Sequence, residues 1–316
     1  MHTPALDRSH LCCPGAGKDR LLMRNDDLPY KLKRPGDLFW PRLAYKLICS
    51  CLLVFVASAT VQAQPRTIVS LSPHVTELLY AIGAEQQLVA TVAYSDYPQA
   101  AKMLPRIGDV YQLDWERLLE MRPDLVIGWQ DGTPANVLAR VEAMGLPLAL
   151  VSVGKLESIA AQLRQLGKLT GRSVAADAAA KDFLMELAAL ESRYAGRRRV
   201  KVFYEIDHQP LFTINERQII SDAISLCGGV NIFAGLGVLA PQVSMESVLK
   251  RDPEVIVYAG TVAAAANVFA DWRRWPRLAA VGHGHLYRAD PDLMNRPTPR
   301  MLQGVRHLCE AVDAAR

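Results

Sequence analysis

No stretch of this sequence holds the roughly 20 unbroken apolar residues that a bilayer-crossing helix needs, so no permanent membrane span is expected. No Gly-x-Ser-x-Gly elbow and no His-Glu-x-x-His pair occurs, which removes two common signatures of hydrolases and metallopeptidases. Gly235-Leu-Gly237-Val-Leu-Ala240 has the letters of a dinucleotide-binding turn, but no long strand precedes it and Pro241 stops a helix from starting there. Gly15-Ala-Gly17-Lys18 lacks the spacing and the Ser/Thr of a phosphate loop. Catalysis therefore finds no reactive constellation, and no enzyme is expected.

Excess charge is missing too, once the first segment is set apart. Lys31, Lys33, Arg34, Arg42 and Lys46 precede an uncharged 13-residue run, Leu47 to Ala59, followed by Val61-Gln62-Ala63. A basic segment, a short apolar run and a small-residue site read as an export signal cleaved after Ala63, with residues 1–63 as leader. Cys49 and Cys51 sit before most of the apolar run rather than after it, which argues against a lipidated cysteine. Residues 64–316 carry 27 Lys/Arg and 27 Asp/Glu, so the net charge of +4 belongs to the leader. Nucleic acid is excluded as a partner by this balance, because its binding needs clustered positive charge. Of six cysteines only Cys227 and Cys309 lie beyond the leader. In an oxidising compartment a pair of this kind favours a disulfide over two buried free thiols.

What is present is an alternation of short β-branched runs with helical stretches. Thr67 to Leu71 reads as a strand, followed by Ser72-Pro73 and a helix that stops at Gly83. Strands are expected at Leu88–Val92, Leu125–Ile127, Leu148–Val153, Val200–Tyr204 and Val255–Tyr258, and a helix at Ile219–Leu226. From Ser173 to Ala195 there is neither Gly nor Pro, and Phe183, Leu187, Leu190 and Tyr194 recur at helical spacing. A single helix of that length would extend about 34 Å, enough to join two lobes. The plan also repeats. Glu116-Arg-Leu-Leu-Glu-Met-Arg-Pro123-Asp124-Leu-Val-Ile127 matches Glu246-Ser-Val-Leu-Lys-Arg-Asp-Pro253-Glu254-Val-Ile-Val257 in type and spacing. The expected fold is α/β, two Rossmann-like lobes with mainly parallel central sheets joined by one long α-helix. The lobes are placed at 64–170 and 199–316, with the joining helix at 171–198.

Five histidines lie beyond the leader, but only Gly282-His283-Gly284-His285 suggests a metal. Two ligands are too few for a closed site, and a loop feeding the strand at Leu286 accounts for the glycines, so no metal is expected. Aromatic and polar residues at strand ends are the stronger candidates for binding. Tyr94 in Ala93-Tyr-Ser-Asp-Tyr97-Pro98 and Trp129 after Leu125–Ile127 fall where α/β sheets place ligands, and Phe212, Asp292 and Arg296 could form the opposite wall.

Ser70-Leu-Ser-Pro-His-Val-Thr-Glu77, Tyr94-Ser-Asp-Tyr-Pro98, Arg122-Pro-Asp-Leu-Val-Ile-Gly-Trp129, Cys227-Gly-Gly-Val-Asn-Ile-Phe233 and Pro299-Arg300 together resemble the cobalamin-binding periplasmic proteins of the vitamin importer. The resemblance spans Arg66 to Val312. It implies a monomeric, non-enzymatic periplasmic protein that needs no cofactor. Such a protein takes cobalamin or a related corrinoid between its lobes and hands it to an ABC permease dimer in the inner membrane. By the same resemblance Tyr94, Trp129 and Phe212 would pack against the corrin and its lower base, and Asp292 and Arg296 would bond to its amide rim. Glu116 and Glu246 would dock the permease, and Cys227 and Cys309 fall where the relative has a disulfide. Two further pocket tryptophans of the relatives align with Val110 and Ala240. Haem or a ferric siderophore is the alternative cargo, with His74, His208 or Tyr94 as possible axial ligands for haem. An exported α/β enzyme and a ligand-presenting sensor domain are the readings outside transport.

Overall fold

The computed structural model describes residues 64–316, and the leader expected at 1–63 lies outside them. The first half runs β1 (Ile68–Ser70), α1 (Pro73–Ala81), β2 (Leu88–Thr91), α2 (Trp115–Glu120), β3 (Leu125–Trp129), α3 (Ala135–Ala143), β4 (Leu148–Val151) and α4 (Ser158–Thr170). Then comes α5 (Ser173–Tyr194). The second half continues with β5 (Val200–Glu205), a hairpin of β6 (Asp207–His208) and β7 (Leu211–Phe212), α6 (Ile219–Leu226), β8 (Gly229–Asn231), α7 (Met245–Arg251) and β9 (Val255–Ala259). It ends with α8 (Val262–Trp272), α9 (Ala279–Gly282), β10 (Leu286–Ala289), α10 (Pro291–Met294) and α11 (Met301–Ala314).

Each half builds one four-stranded parallel sheet, in the orders β2-β1-β3-β4 and β8-β5-β9-β10. The two orders are the same topology, and the sequence repeat shows how it is made. Asp114 caps α2 by accepting from the Arg117 amide, as Ser244 caps α7 by accepting from Ser247. The two helices end in left-handed residues, Arg122 at φ 43° and Asp252 at φ 47°, just before Pro123 and Pro253. The acidic residue after each proline then pins the sheet's first strand. The Asp124 amide donates to the Thr67 carbonyl while its carboxylate accepts from the Arg66 and Thr67 amides at 2.7 and 3.0 Å. Glu254 repeats this on Lys201, donating to its carbonyl and accepting from its amide at 2.9 Å. Those hydrogen bonds and the Arg66 charge hold the Asp124 carboxyl below the usual carboxylate range.

Both sheets are covered on both faces. Small cores fill the outer faces, around Val69, Leu118 and Val137 in one half and around Phe203, Ile256 and Trp272 in the other. The inner faces share one continuous core, which runs from Ile68 and Leu79 through α4 and α5 to Ile220, Val257 and Leu308. Within it α5 buries Ala176, Ala180, Phe183, Leu187, Leu190 and Tyr194, a single stripe at about 3.6-residue spacing. Each fully buried large apolar side chain contributes about 1.5–3 kcal/mol, so the stripe fixes the rod along its whole length.

Strand boundaries differ from expectation at sheet ends. β3 runs on through Gly128 and Trp129, because both continue the ladder with Leu150 and Val151; Trp129 ends the strand instead of following it. β5 gains Glu205, and β4 closes at Val151, before the expected Val153. Gly235 to Ala240 forms turns, with no strand–turn–helix unit.

Cys227, after α6, is bonded to Cys309 in α11. The bridge closes a loop of 82 residues. Chain-entropy arguments give such a loop an upper figure of about 4.5 kcal/mol of stability, of which disulfides typically deliver about 2–4 kcal/mol. Replacing both cysteines by serine should lower the unfolding free energy by that amount in guanidinium melts, while the far-ultraviolet circular dichroism stays native. An unchanged midpoint would show that α11 is held by packing alone.

Candidate functional site

In open parallel sheets ligands lie beyond the carboxyl ends of the strands, where the strand order reverses. Here the reversals fall between β1 and β3 and between β5 and β9. The segments leaving those ends are the Ser72–Glu77 start of α1, the Ala93–Pro98 loop, Trp129 with its following turn, the β6–β7 hairpin, and Asp290–Arg300.

The first two of these meet at a chain of buried hydroxyls. Thr76 Oγ1 donates to Ser70 Oγ at 3.0 Å and pairs with Thr91 Oγ1 at 2.7 Å, and Thr91 Oγ1 reaches Ser95 Oγ at 2.8 Å. This ties the end of β1, the first turns of α1, the end of β2 and the Tyr94 loop into one polar unit. Beside it stands Glu77, only 4% exposed. Its carboxylate accepts four hydrogen bonds from the second half of the chain. Arg300 supplies a two-pronged pair, Nη2 at 2.8 Å and Nε at 3.0 Å, and Arg296 Nη1 and Thr298 Oγ1 add contacts at 3.0 and 3.2 Å. The Arg300 guanidinium also lies 3.5 Å from the centroid of the Tyr97 ring. Arg296 is shared further, with Asp96 at 2.6 Å and Asp292 at 2.9 Å. Burial opposes the Asp96 carboxylate, but the Arg296 hydrogen bond and charge outweigh it and hold that carboxyl low.

These pairs clasp the two halves at their facing carboxyl ends. Asp96, Tyr97 and Arg300 of the family-like motifs serve the clasp, and the Arg296 guanidinium takes part in it. Sequence reasoning missed Glu77 as a centre. The available signal was a carboxylate amid the apolar face of α1, together with arginines four apart in Arg296–Arg300.

Tyr94 and Trp129 stand beside the clasp. Tyr94 is 78% exposed and takes a left-handed backbone at φ 65°, a conformation that costs a non-glycine residue on the order of 1 kcal/mol. Trp129 is half-buried, its amide held by Thr133 Oγ1 at 3.0 Å. The turn beneath its ring requires Gly132, where a Cβ would fall 2.0 Å from the indole. His74 meets Trp129 edge-on at 5.0 Å and shares a 2.6 Å hydrogen bond with Ser72 Oγ. The indole Nε1 and the imidazole Nε2 are both buried without a protein partner among the described residues. Phe212 is half-buried on β7, its backbone bridged to Gln242. Asp292, in α10, is largely exposed, with Arg296 as its partner. Tyr111 is 74% exposed next to Val110.

Glu116 and Glu246 occupy matching positions in the first turns of α2 and α7, one per half, where the helix dipole favours a carboxylate. Of the other histidines, His208 is engaged on both ring nitrogens. His283 and His285 stack at 5.8 Å, and their Nδ1 atoms face the carbonyls of Ala279 and Glu254. Gly284 turns the chain between them at φ 76°. Among the described residues no group of three or more His, Cys, Asp or Glu side chains could hold a metal.

Removing the central carboxylate should be costly. Glu77→Gln takes from Arg300 its ion-pair partner and from Arg296 one of three, and should destabilise the protein by about 3–5 kcal/mol in urea unfolding. A loss under about 1 kcal/mol would show that the arginines re-pair without it. His74 makes a pH prediction. Burial first, and the positive charge of Arg296 second, push its pKa down to about 3 from 6.5. Below pH 6.5 the unfolded chain takes a proton that the folded chain refuses. Stability should therefore fall from pH 6.5 towards 3, by as much as about 4–5 kcal/mol, and His74→Ala should flatten that slope.

Comparison with known proteins places this geometry in a family. The sequence profile of the periplasmic binding protein family matches residues 68–293. A vitamin B12-binding protein of Vibrio parahaemolyticus is 34% identical over 270 residues, 85% of this chain and 98% of the relative. The crystal structure of the periplasmic vitamin B12 binding protein of Vibrio cholerae superposes with a TM-score of 0.74 at 35% identity, covering 79% of this chain and 98% of that one. A periplasmic heme-binding protein from Roseiflexus sp. RS-1 shares the fold at a TM-score of 0.70 and 24% identity, covering 79% of this chain and 99% of that one.

Proposed function

The chain belongs to the periplasmic binding protein family, and from that membership we propose that it is exported by a signal in residues 1–63, takes a corrinoid between its two lobes, and delivers it unaltered to an ABC importer. The lobes are residues 64–170 and 199–316, joined through 171–198. The cargo assignment is supported by two proposed walls, formed by segments that leave the carboxyl ends of the strands in each half. Tyr94 and Trp129 offer aromatic surface on one side, and Phe212 with Asp292 offers an aromatic and an exposed acceptor on the other. Such walls suit a large, flat, amide-rimmed molecule. The naming of B12 in relatives that align over nearly their whole length supports the same choice.

The alternatives fare worse on the same geometry. A haem pocket needs an axial ligand, yet His74 is 2% exposed and His208 has both nitrogens occupied, which leaves only Tyr94 of the three candidates. A siderophore pocket needs uncommitted positive charge, and Arg296 is already shared among Glu77, Asp96 and Asp292. The carboxylates Glu116 and Glu246, one on each equivalent lobe, suit a twofold-symmetric permease presenting arginines.

Calorimetric titration with cyanocobalamin, cobinamide and haemin tests the cargo. One-to-one saturation by the corrinoids is expected, and saturation by haemin alone would overturn the assignment. Trp129→Ala should weaken corrinoid binding about five- to thirtyfold, since a stacked aromatic contact is worth on the order of 1–2 kcal/mol. The double variant Glu116→Lys, Glu246→Lys should bind cargo normally and fail to bind permease; retained binding to permease would sink the docking role.

A further inference from the structure

A second polar array, outside the clasp, surrounds the hairpin that carries Phe212. Glu205, at the carboxyl end of β5, is fully buried. Its two oxygens are held by Trp272 Nε1 at 2.7 Å and by His208 Nδ1 at 2.5 Å. The other face of the same imidazole turns to α8, where Nε2 lies 3.2 Å from an Asp271 oxygen. The ring also meets Trp272 edge-on at 6.4 Å. His208 pairs across the hairpin with Leu211, and Asp207 with Phe212, so a side chain that fixes β6 also fixes the position of Phe212.

An imidazole can satisfy two carboxylates only as imidazolium, because the neutral ring has one N–H. The remaining charged or titratable neighbours do not replace it. Asp207 adds negative charge on the hairpin itself, Tyr258 on β9 faces Glu205, and Arg274 is directed at Asp271 from 3.9 Å and is largely exposed. A cavity of about 500 Å³, lined by residues that include His208, Leu211, Met245, Asp271 and Trp275, gives the ring access to solvent. Its rim includes Met245, the first residue of the helix that bears Glu246.

We propose that His208 is a proton-linked positioning residue, which as imidazolium ties the Phe212 hairpin to α8 and on losing its proton releases that tie and loosens the grip on cargo. The inference rests on the corrinoid reading of the site. On deprotonation the buried Glu205 keeps the remaining N–H. The Nε2 lone pair then faces the Asp271 carboxylate, so the bond to α8 is the one that breaks. Burial opposes the imidazolium, but hydrogen bonding and charge from Glu205, then from Asp271, raise the pKa of His208 above its ordinary value. The tie is thus complete below the ordinary histidine range and is lost as pH climbs through the raised folded value.

The test is the cyanocobalamin dissociation constant of the purified protein from about pH 6 to about pH 10, compared with Asp271→Asn and His208→Gln. Affinity of the wild type should fall about fivefold across the alkaline limb, the worth of one hydrogen bond. The amide introduced by Asp271→Asn can accept from the imidazolium or donate to the neutral ring, so the profile of this variant should be flat with tight binding. His208→Gln should be flat and weaker. A wild-type profile that is flat, or one reproduced in Asp271→Asn, overturns the role of His208 while leaving the cargo assignment standing. No binding of cyanocobalamin at any pH overturns both.

Discussion

A carboxylate with 4% exposure cannot stay charged without compensation close at hand, and the compensation for Glu77 comes from more than 200 residues further along the chain. That separation makes the clasp a long-range constraint. Until Arg296, Thr298 and Arg300 arrive, Glu77 has no reason to leave water; once they arrive, the facing ends of the two sheets are set against each other. Buried ion pairs of this kind add little net stability, since desolvation offsets most of the attraction, but they discriminate sharply between one arrangement and its neighbours. The positions of Tyr94, on the loop that supplies Asp96, and of Asp292, on the helix just before Arg296, follow from it.

The clasp has something regular to act on because the two halves are alike. In each, a capped helix carries an exposed glutamate in its first turn, gives way to a left-handed residue before proline, and sends an acidic residue to hold the first strand. The acid's amide and carboxylate both engage the same strand end, which sets the register of β1 against β3 and of β5 against β9. A local motif thereby determines the centre of each sheet, and duplicating the motif duplicates the sheet. The shared inner core then joins the duplicates through α4, α5, α6 and α11, so α5 is not a free-standing hinge but one wall of a packed interior.

Much of this was legible in the residues alone. The helical spacing of Phe183, Leu187, Leu190 and Tyr194 located α5, and the paired segments Glu116–Ile127 and Glu246–Val257 announced two similar sheets, because such signals depend on neighbours a few positions apart. Strand ends were less legible: Trp129 looks like a loop residue until Val151 is found beside it. The clasp was opaque for the same reason in stronger form. Nothing local distinguishes Asp96, which ends up in an ion pair, from Tyr94 two residues earlier, which ends up in solvent; only the approach of Arg296 does. Nor does Asn231 announce that its side chain will bond to the Ile214 carbonyl and Ser221, fixing the end of β8 against the first turn of α6.

Restraints of separate kinds cross between the halves: the shared core, the Glu77 clasp, and the Asp222 carboxylate that accepts from the Leu156 amide at 2.9 Å. Opening the site widely would break the second and third and strain the first, and a helix packed along its length bends poorly. The site is therefore largely preformed. Preformed sites gain affinity because little ordering entropy is lost on binding. They incur a corresponding difficulty in release, since thermal motion alone will seldom part the walls. Under the proposed docking role the partner supplies the force that parts the halves, acting through Glu116 and Glu246, one in each half.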